Sequence, residues 1–133
     1  RKVIAAIHAG WRGTVKRIVE KTLDKMAALY GTKGEDVQAY IGPGISLNAF
    51  EVGDEVYEAF EAAGFDMACI ARRDEKWHLD LWEANRIQLL SKGVKKENVE
   101  VTGICTYQNY TDFFSARRLG IRSGRILSGI MRM

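Results

Sequence analysis

Between Thr14 and Tyr30, apolar residues recur at helical spacing. Val15, Ile18, Val19, Leu23, Met26, Ala27 and Tyr30 share one side, with Lys16, Arg17, Lys21, Asp24 and Lys25 on the other. The pattern predicts one long amphipathic helix that stops at Gly31. Upstream, Val3-Ile4-Ala5-Ala6-Ile7 is an unbroken apolar run and predicts a buried strand. His8-Ala9-Gly10-Trp11-Arg12-Gly13 joins the two as a glycine-rich turn.

Further along, Gly34-Glu35-Asp36 turns the chain into a short apolar strand, Val37 to Ile41. Gly42-Pro43-Gly44 is the sharpest break in the sequence, and a loop follows it. Asp54 is placed to cap a helix carrying Val56, Tyr57 and Phe60, which ends at Gly64. Residues 68–71 read as a strand, and Trp77-His78-Leu79 alternates as another. Asp80 with Glu83 three residues later forms a capping-box pattern. The helix it opens carries Leu81, Ala84, Ile87 and Leu90 and stops at Gly93. Val99 to Ile104, Phe113 to Ser115 and Arg125 to Met131 give the remaining strands. Helices alternate with strands without repeat or linker, so the expected class is mixed α and β with helices covering sheet faces.

A chain of 133 residues with 47% apolar residues, 28% charged residues and one proline fits a single folded domain. No apolar run approaches the ~20 residues of a membrane-spanning helix, and no signal-peptide pattern opens the chain. Cys69 and Cys105 sit in apolar settings and read as free thiols of a reducing cytoplasm. The chain opens on Arg1 and enters its first strand at once, so an upstream segment is expected to be missing. A net charge of +3 is too small to argue for nucleic acid. Its distribution says more: no acidic residue follows Asp112, whereas Arg117, Arg118, Arg122, Arg125 and Arg132 all do. Such a tail lines an anion site or forms a solvated strand edge.

A strand, a turn bearing His8 and Arg12, and a helix start make a common frame for a reactive site. Turn glycines let backbone approach a ligand, helix-start amides favour an anion, and Arg12 adds a forked cation. The plainer alternatives are a satisfied core histidine at position 8 and an Arg12 packed over Trp11. His8 and His78 lie far apart, and no metal-ligand spacing motif occurs, so a complete metal site is not readable from the residues. Cys105 is a nucleophile if a cation lowers its pKa, and otherwise a small buried hydrophobe. His78 reads as a structural strand residue bonded to a nearby carboxylate. Gly42-Pro43-Gly44 is either an amide nest for an anion or a plain turn. One of Arg117 and Arg118 points inward by strand alternation and needs an anionic partner.

Together these blocks resemble the YfiH-type family, also called the laccase-domain or multicopper polyphenol oxidoreductase family. The residues that carry the resemblance begin with His8-Ala9-Gly10-Trp11-Arg12-Gly13, Ile41-Gly42-Pro43 and Phe50-Glu51-Val52-Gly53. Asp80-Leu81 with Asn85 and Gln88-Leu89 follow, then Cys105-Thr106. Phe113-Phe114-Ser115-Ala116-Arg117-Arg118 with Gly124-Arg125 complete the series in the family's order. The resemblance implies a layered α/β/β/α fold with mixed sheets, of which residues 1–133 would be the C-terminal portion. It also implies one metal, usually zinc, held by two histidines and a cysteine. His8 matches one of those ligands, the others falling upstream of Arg1, and Cys105 matches a different position. Ala116 departs from a position that is often Tyr.

The resemblance implies several activities. First is zinc-dependent purine nucleoside phosphorolysis, with adenosine deamination and methylthioadenosine cleavage in the same pocket. Copper-dependent phenol oxidation ranks second, since a Cys and two His also suit copper. Editing of peptidoglycan precursors is a third, and a non-catalytic anion- or nucleic-acid-binding module stands outside enzymology. The tail's lack of interleaved aromatics counts against nucleic acid. Under the first reading Arg12, Arg117 and Arg118 are the catalytic cations and His8 is the metal ligand. Gly10, Trp11, Gly13, Gly42 and Phe114 contact substrate, and the partners are small molecules.

Overall fold

The computed structural model describes residues 3–42 and 44–103. Helix α1 (Trp11–Val15) and helix α2 (Ile18–Tyr30) follow an N-terminal segment that has no ladder pairing among the described residues. Strand β1 (Ala39–Ile41), strand β2 (Glu51–Val52), helix α3 (Asp54–Ala62) and the short helix α4 (Met67–Ile70) come next. Strands β3 (Ala71–Arg73) and β4 (Trp77–Leu79), helix α5 (Leu81–Ser91) and strand β5 (Val99–Val101) complete the described fold.

Strands β1 and β5 pair in parallel, with Ala39 opposite Val99 and Ile41 opposite Val101. The other sheet is antiparallel in the order β2-β4-β3, with His78 between Glu51 and Arg72. Both parallel and antiparallel pairing are therefore present, and the class is α+β as the alternation of elements implied. Helix α5 is the hub, packing on α1, α2, α4, β1 and β5. On one side the core gathers Phe50, Phe60, Phe65, Ile70 and Leu79. On the other, Val19, Leu89 and Val94 pack together with Ile41 and Val99 beside them.

Local rules explain several elements. Helix α5 starts where Asp80 accepts the Glu83 N–H at 3.0 Å, the cap its sequence announces. Helix α2 ends at Gly31 with φ +67°, and the chain turns after α5 through Gly93 with φ +87°. The closest backbone approach is at Gly34, where a Cβ would overlap the Lys92 carbonyl oxygen and lie 2.7 Å from the Gly93 carbonyl carbon.

Three expectations are corrected. Val3–Ile7, expected as a buried strand, pairs with no strand among the described residues, and Ile4 and Ile7 are 43% and 37% exposed there. An apolar run becomes a strand only where a neighbour satisfies its amides and carbonyls. The long helix is two helices, broken at Arg17 in the left-handed region (φ 60°, ψ 46°). The break is held by tertiary bonds: Arg17 Nε and Nη2 donate to the Ala63 carbonyl at 3.2 and 2.9 Å, and the guanidinium lies 4.2 Å over Phe65. Finally, residues 67–70 are helical, because Asp66 accepts the Ala68 N–H at 3.1 Å, and extended structure begins only at Ala71.

Candidate functional site

His8 ends the N-terminal run and is exposed. Gly10 enters α1 with extended backbone, and a Cβ there would sit 3.6 Å from His8 Nε2. Glycine thus leaves that side of the imidazole open. Gly13 brings helix backbone close: a Cβ would stand 3.4 Å from both the His8 carbonyl oxygen and Ile18 Cγ2. Trp11 is half-buried against the core, and Arg12 is exposed with its guanidinium 4.6 Å from the Trp11 ring centroid. The packing over Trp11 that competed with a ligand role for Arg12 is therefore observed, on a residue that remains exposed.

The helix that follows this turn is shorter than its sequence announced. It has five residues, too few to build a substantial dipole. The amides of Trp11, Arg12 and Gly13 precede the first intrahelical bond, Thr14 N–H to Gly10 O at 2.8 Å, so they have no partner within the helix. Local amides and Arg12 remain at the turn, without a long helix behind them.

The floor of the turn is polar and buried. Thr14 donates its hydroxyl to the Ala9 carbonyl at 3.2 Å. From α5, Gln88 Nε2 donates to the Thr14 carbonyl at 3.2 Å, while Gln88 Oε1 accepts the Glu20 N–H at 3.3 Å. One side-chain amide thereby bridges the Thr14 carbonyl of α1, which also accepts the Arg17 N–H at 2.9 Å, and one of the first orphan amides of α2, that of Glu20. Asn85 Oδ1 lies 3.4 Å from Gln88 Nε2, and Asn85 Nδ2 donates to the Leu81 carbonyl at 2.9 Å. No role follows for Thr14, Asn85 or Gln88 from the motifs alone. The available signal was a pair of amides, Asn85 and Gln88, at the helical spacing of the apolar residues Leu81 and Ala84 of α5.

The hydrogen bonds and ring contacts of the His8 turn do not involve Gly42, which is exposed just past β1; among the described residues, its chain neighbours aside, no atom lies within 4 Å of the place a Cβ would occupy. Phe114, Arg117, Arg118, Cys105 and Ala116 lie outside the described residues. His78 is structural, as its strand setting implied. Its Nδ1 meets the Leu47 carbonyl at 3.0 Å, which only accepts, so Nδ1 carries the proton. Its Nε2 is 3.7 Å from Asp74 Oδ2, and Arg72 donates to the same carboxylate at 2.9 Å. Cys69 is exposed, and its thiol is pushed up by its hydrogen bond to Asp66 and by that carboxylate's charge.

A metal is implied by the resemblance, and the donors can be tested for it. His8 offers one open ring nitrogen. Among the described residues, no three His, Cys, Asp or Glu side chains converge. Catalytic zinc takes about three protein ligands, so the described residues do not make a metal site by themselves.

Residues 1–133 match the family model described as multi-copper polyphenol oxidoreductase laccase. The chain belongs to this family. It is 64% identical over 131 residues to a protein of Bacteroides thetaiotaomicron named purine nucleoside phosphorylase, covering 96% of this chain and 48% of that protein. It is 45% identical over 133 residues to adenosine deaminase RL5 of an unknown prokaryotic organism, covering 98% and 50%. The fold is similar to the crystal structure of the Bacillus licheniformis hypothetical protein YfiH. That match has a TM-score of 0.77 and 31% identity, over 84% of this chain and 43% of the other. The chain thus spans about half the length of the curated relatives it matches. Among the described residues no helix is long and apolar enough to cross a membrane.

Proposed function

We propose that this chain forms part of a zinc-dependent purine nucleoside phosphorylase that also deaminates adenosine and cleaves methylthioadenosine with phosphate. The observation that carries the reading is the exposure of His8 and Arg12 on one short turn, in a chain 64% identical to a protein named purine nucleoside phosphorylase. Phosphorolysis joins a phosphate oxygen to C1′ of the ribose as the bond to the base nitrogen breaks and the base leaves with a proton. Phosphate must be gripped beside the nucleoside, and a guanidinium edge is suited to two of its oxygens. Arg12 takes that role, with Arg117 and Arg118 as further cations. Gly10, Trp11, Gly13, Gly42 and Phe114 are assigned to the substrate's surroundings. His8 contributes one imidazole to the metal, and the remaining donors lie outside the described residues. Its partners are small molecules, and a cytoplasmic location suits two cysteines read as free thiols.

Copper-dependent phenol oxidation is the second reading, favoured by the family's own description. The experiment incubates the full-length protein with inosine and phosphate, with and without chelator, beside a His8→Ala variant. Phosphate-dependent base release that chelator abolishes, zinc restores and His8→Ala loses supports the proposal. No base release under zinc, together with dioxygen uptake on phenols under copper, overturns it.

A further inference from the structure

We infer that Thr14, held by Gln88, is a positioning residue for His8, so that α5 sets the imidazole through a buried polar relay. The inference rests on the reading of His8 as a working residue of the phosphorylase site.

The N-terminal run that leads to His8 has no ladder among the described residues. What holds the turn is Thr14. Its hydroxyl takes the Ala9 carbonyl and its N–H takes the Gly10 carbonyl, the two peptides that follow His8. Thr14 and Gln88 are both 0% exposed, and the bond between them is buried. The Gln88 amide has one satisfying orientation. Its NH2 faces two acceptors, Thr14 O and Asn85 Oδ1, and its oxygen faces the Glu20 N–H. Turned over, it would set oxygen against oxygen and leave a buried N–H unmet. The glutamine therefore fixes the Thr14 peptide, and Thr14 fixes the backbone on the C-terminal side of His8. A buried side-chain amide costs stability unless bonded, and here its NH2 and its oxygen are met by Thr14 O, Asn85 Oδ1 and the Glu20 N–H, the first of these on the turn.

The test uses the full-length protein with Thr14→Val, which keeps shape and loses the hydroxyl, and Thr14→Ser, which keeps it. His8→Ala is run in parallel, with melting temperature, kcat and nucleoside KM measured for each. A displaced catalytic geometry costs rate more than binding. Expected are a fall of about tenfold or more in kcat for Thr14→Val, a KM within about twofold, and a Thr14→Ser kcat restored to within about twofold. If Thr14→Val fails to fold, Thr14→Ala removes the hydroxyl without a second methyl, under the same criteria. A folded variant without the hydroxyl and with unchanged kcat overturns the inference, as does a loss that Thr14→Ser does not restore. Failure of both Val and Ala variants to fold overturns it too, making Thr14 a brace for the fold. Full activity in His8→Ala instead overturns the functional reading, whatever Thr14 does.

Discussion

The Arg17 guanidinium holds the Ala63 carbonyl through two donors, Nε at 3.2 Å and Nη2 at 2.9 Å, across 46 residues of sequence. The same side chain pairs with Glu20 and covers Phe65. The backbone beneath it sits in the left-handed region, a conformation that disfavours any residue with a Cβ. Arg17 therefore trades local strain for a link between the start of α2 and the end of α3.

That trade gives an ordered prediction. Arg17→Ala loses the link and keeps the strain, whereas Arg17→Gly loses the link and relieves the strain. Both variants are expected to melt below the wild type, with Arg17→Gly more stable than Arg17→Ala by about 1 kcal/mol. Urea unfolding of the three proteins measures the order. Arg17→Ala at or above Arg17→Gly would show that the positive φ carries no cost here.

Two glycines separate packing from conformation. Gly34 meets backbone of Lys92 and Gly93 at a distance no Cβ tolerates, and backbone does not rotate aside as a flexible side chain does. Gly34→Ala is expected to destabilise by about 2 kcal/mol or more through overpacking. Among the described residues, its chain neighbours aside, Gly42 has nothing within 4 Å in the direction of a Cβ, so Gly42→Ala is expected to leave the melting temperature within about a degree. Reduced nucleoside affinity in Gly42→Ala without loss of stability would support its assignment to the substrate's surroundings.

What the sequence made legible was what short stretches decide. The Asp80 cap, the Trp77–Leu79 strand and the stop at Gly31 each depend on residues a few positions apart, and each is observed. The unread features depend on distant partners. Periodicity ran through Arg17 because nothing nearby signals a bond to Ala63. The Thr14 relay depends on Gln88, 74 residues away. Val3–Ile7 has strand composition, and whether such a run pairs depends on a partner distant in sequence, which is not among the described residues. Of the site, the His8 turn stood out through its glycines, histidine and arginine. The buried amides that hold it were disguised as members of a motif.

Cys69 offers a prediction about reactivity. Its thiol donates toward Asp66 Oδ2 at 3.4 Å, and that hydrogen bond together with the carboxylate's charge raises its pKa above the usual thiol value. A raised pKa leaves less thiolate, the alkylating form, near neutral pH. Asp66→Asn removes the charge while its side-chain oxygen still caps α4. Iodoacetamide at about pH 8 is expected to modify Cys69 severalfold faster in Asp66→Asn than in the wild type, with the two rates converging as pH rises well above the thiol range. Equal rates near neutral pH would mean that solvent screens the carboxylate completely.

Arg12 is where the functional proposal meets its plainest competitor, since its guanidinium stacks on Trp11. Stacking uses the face of the guanidinium and leaves its N–H edge free, so a packed arginine still grips phosphate. Lysine keeps the charge and loses both the fork and the flat stacking surface. Arg12→Lys in the full-length protein is expected to raise the KM for phosphate about tenfold or more, equivalent to one charge-assisted contact. The KM for nucleoside should move far less, because that substrate brings no phosphate of its own. Stability should hold, since Arg12 is exposed and its partner Trp11 is anchored separately in the core. Phosphate kinetics unchanged in Arg12→Lys, with a large fall in melting temperature for Arg12→Ala, would make the residue a cover for Trp11. The phosphate site would then have to be sought among the other arginines.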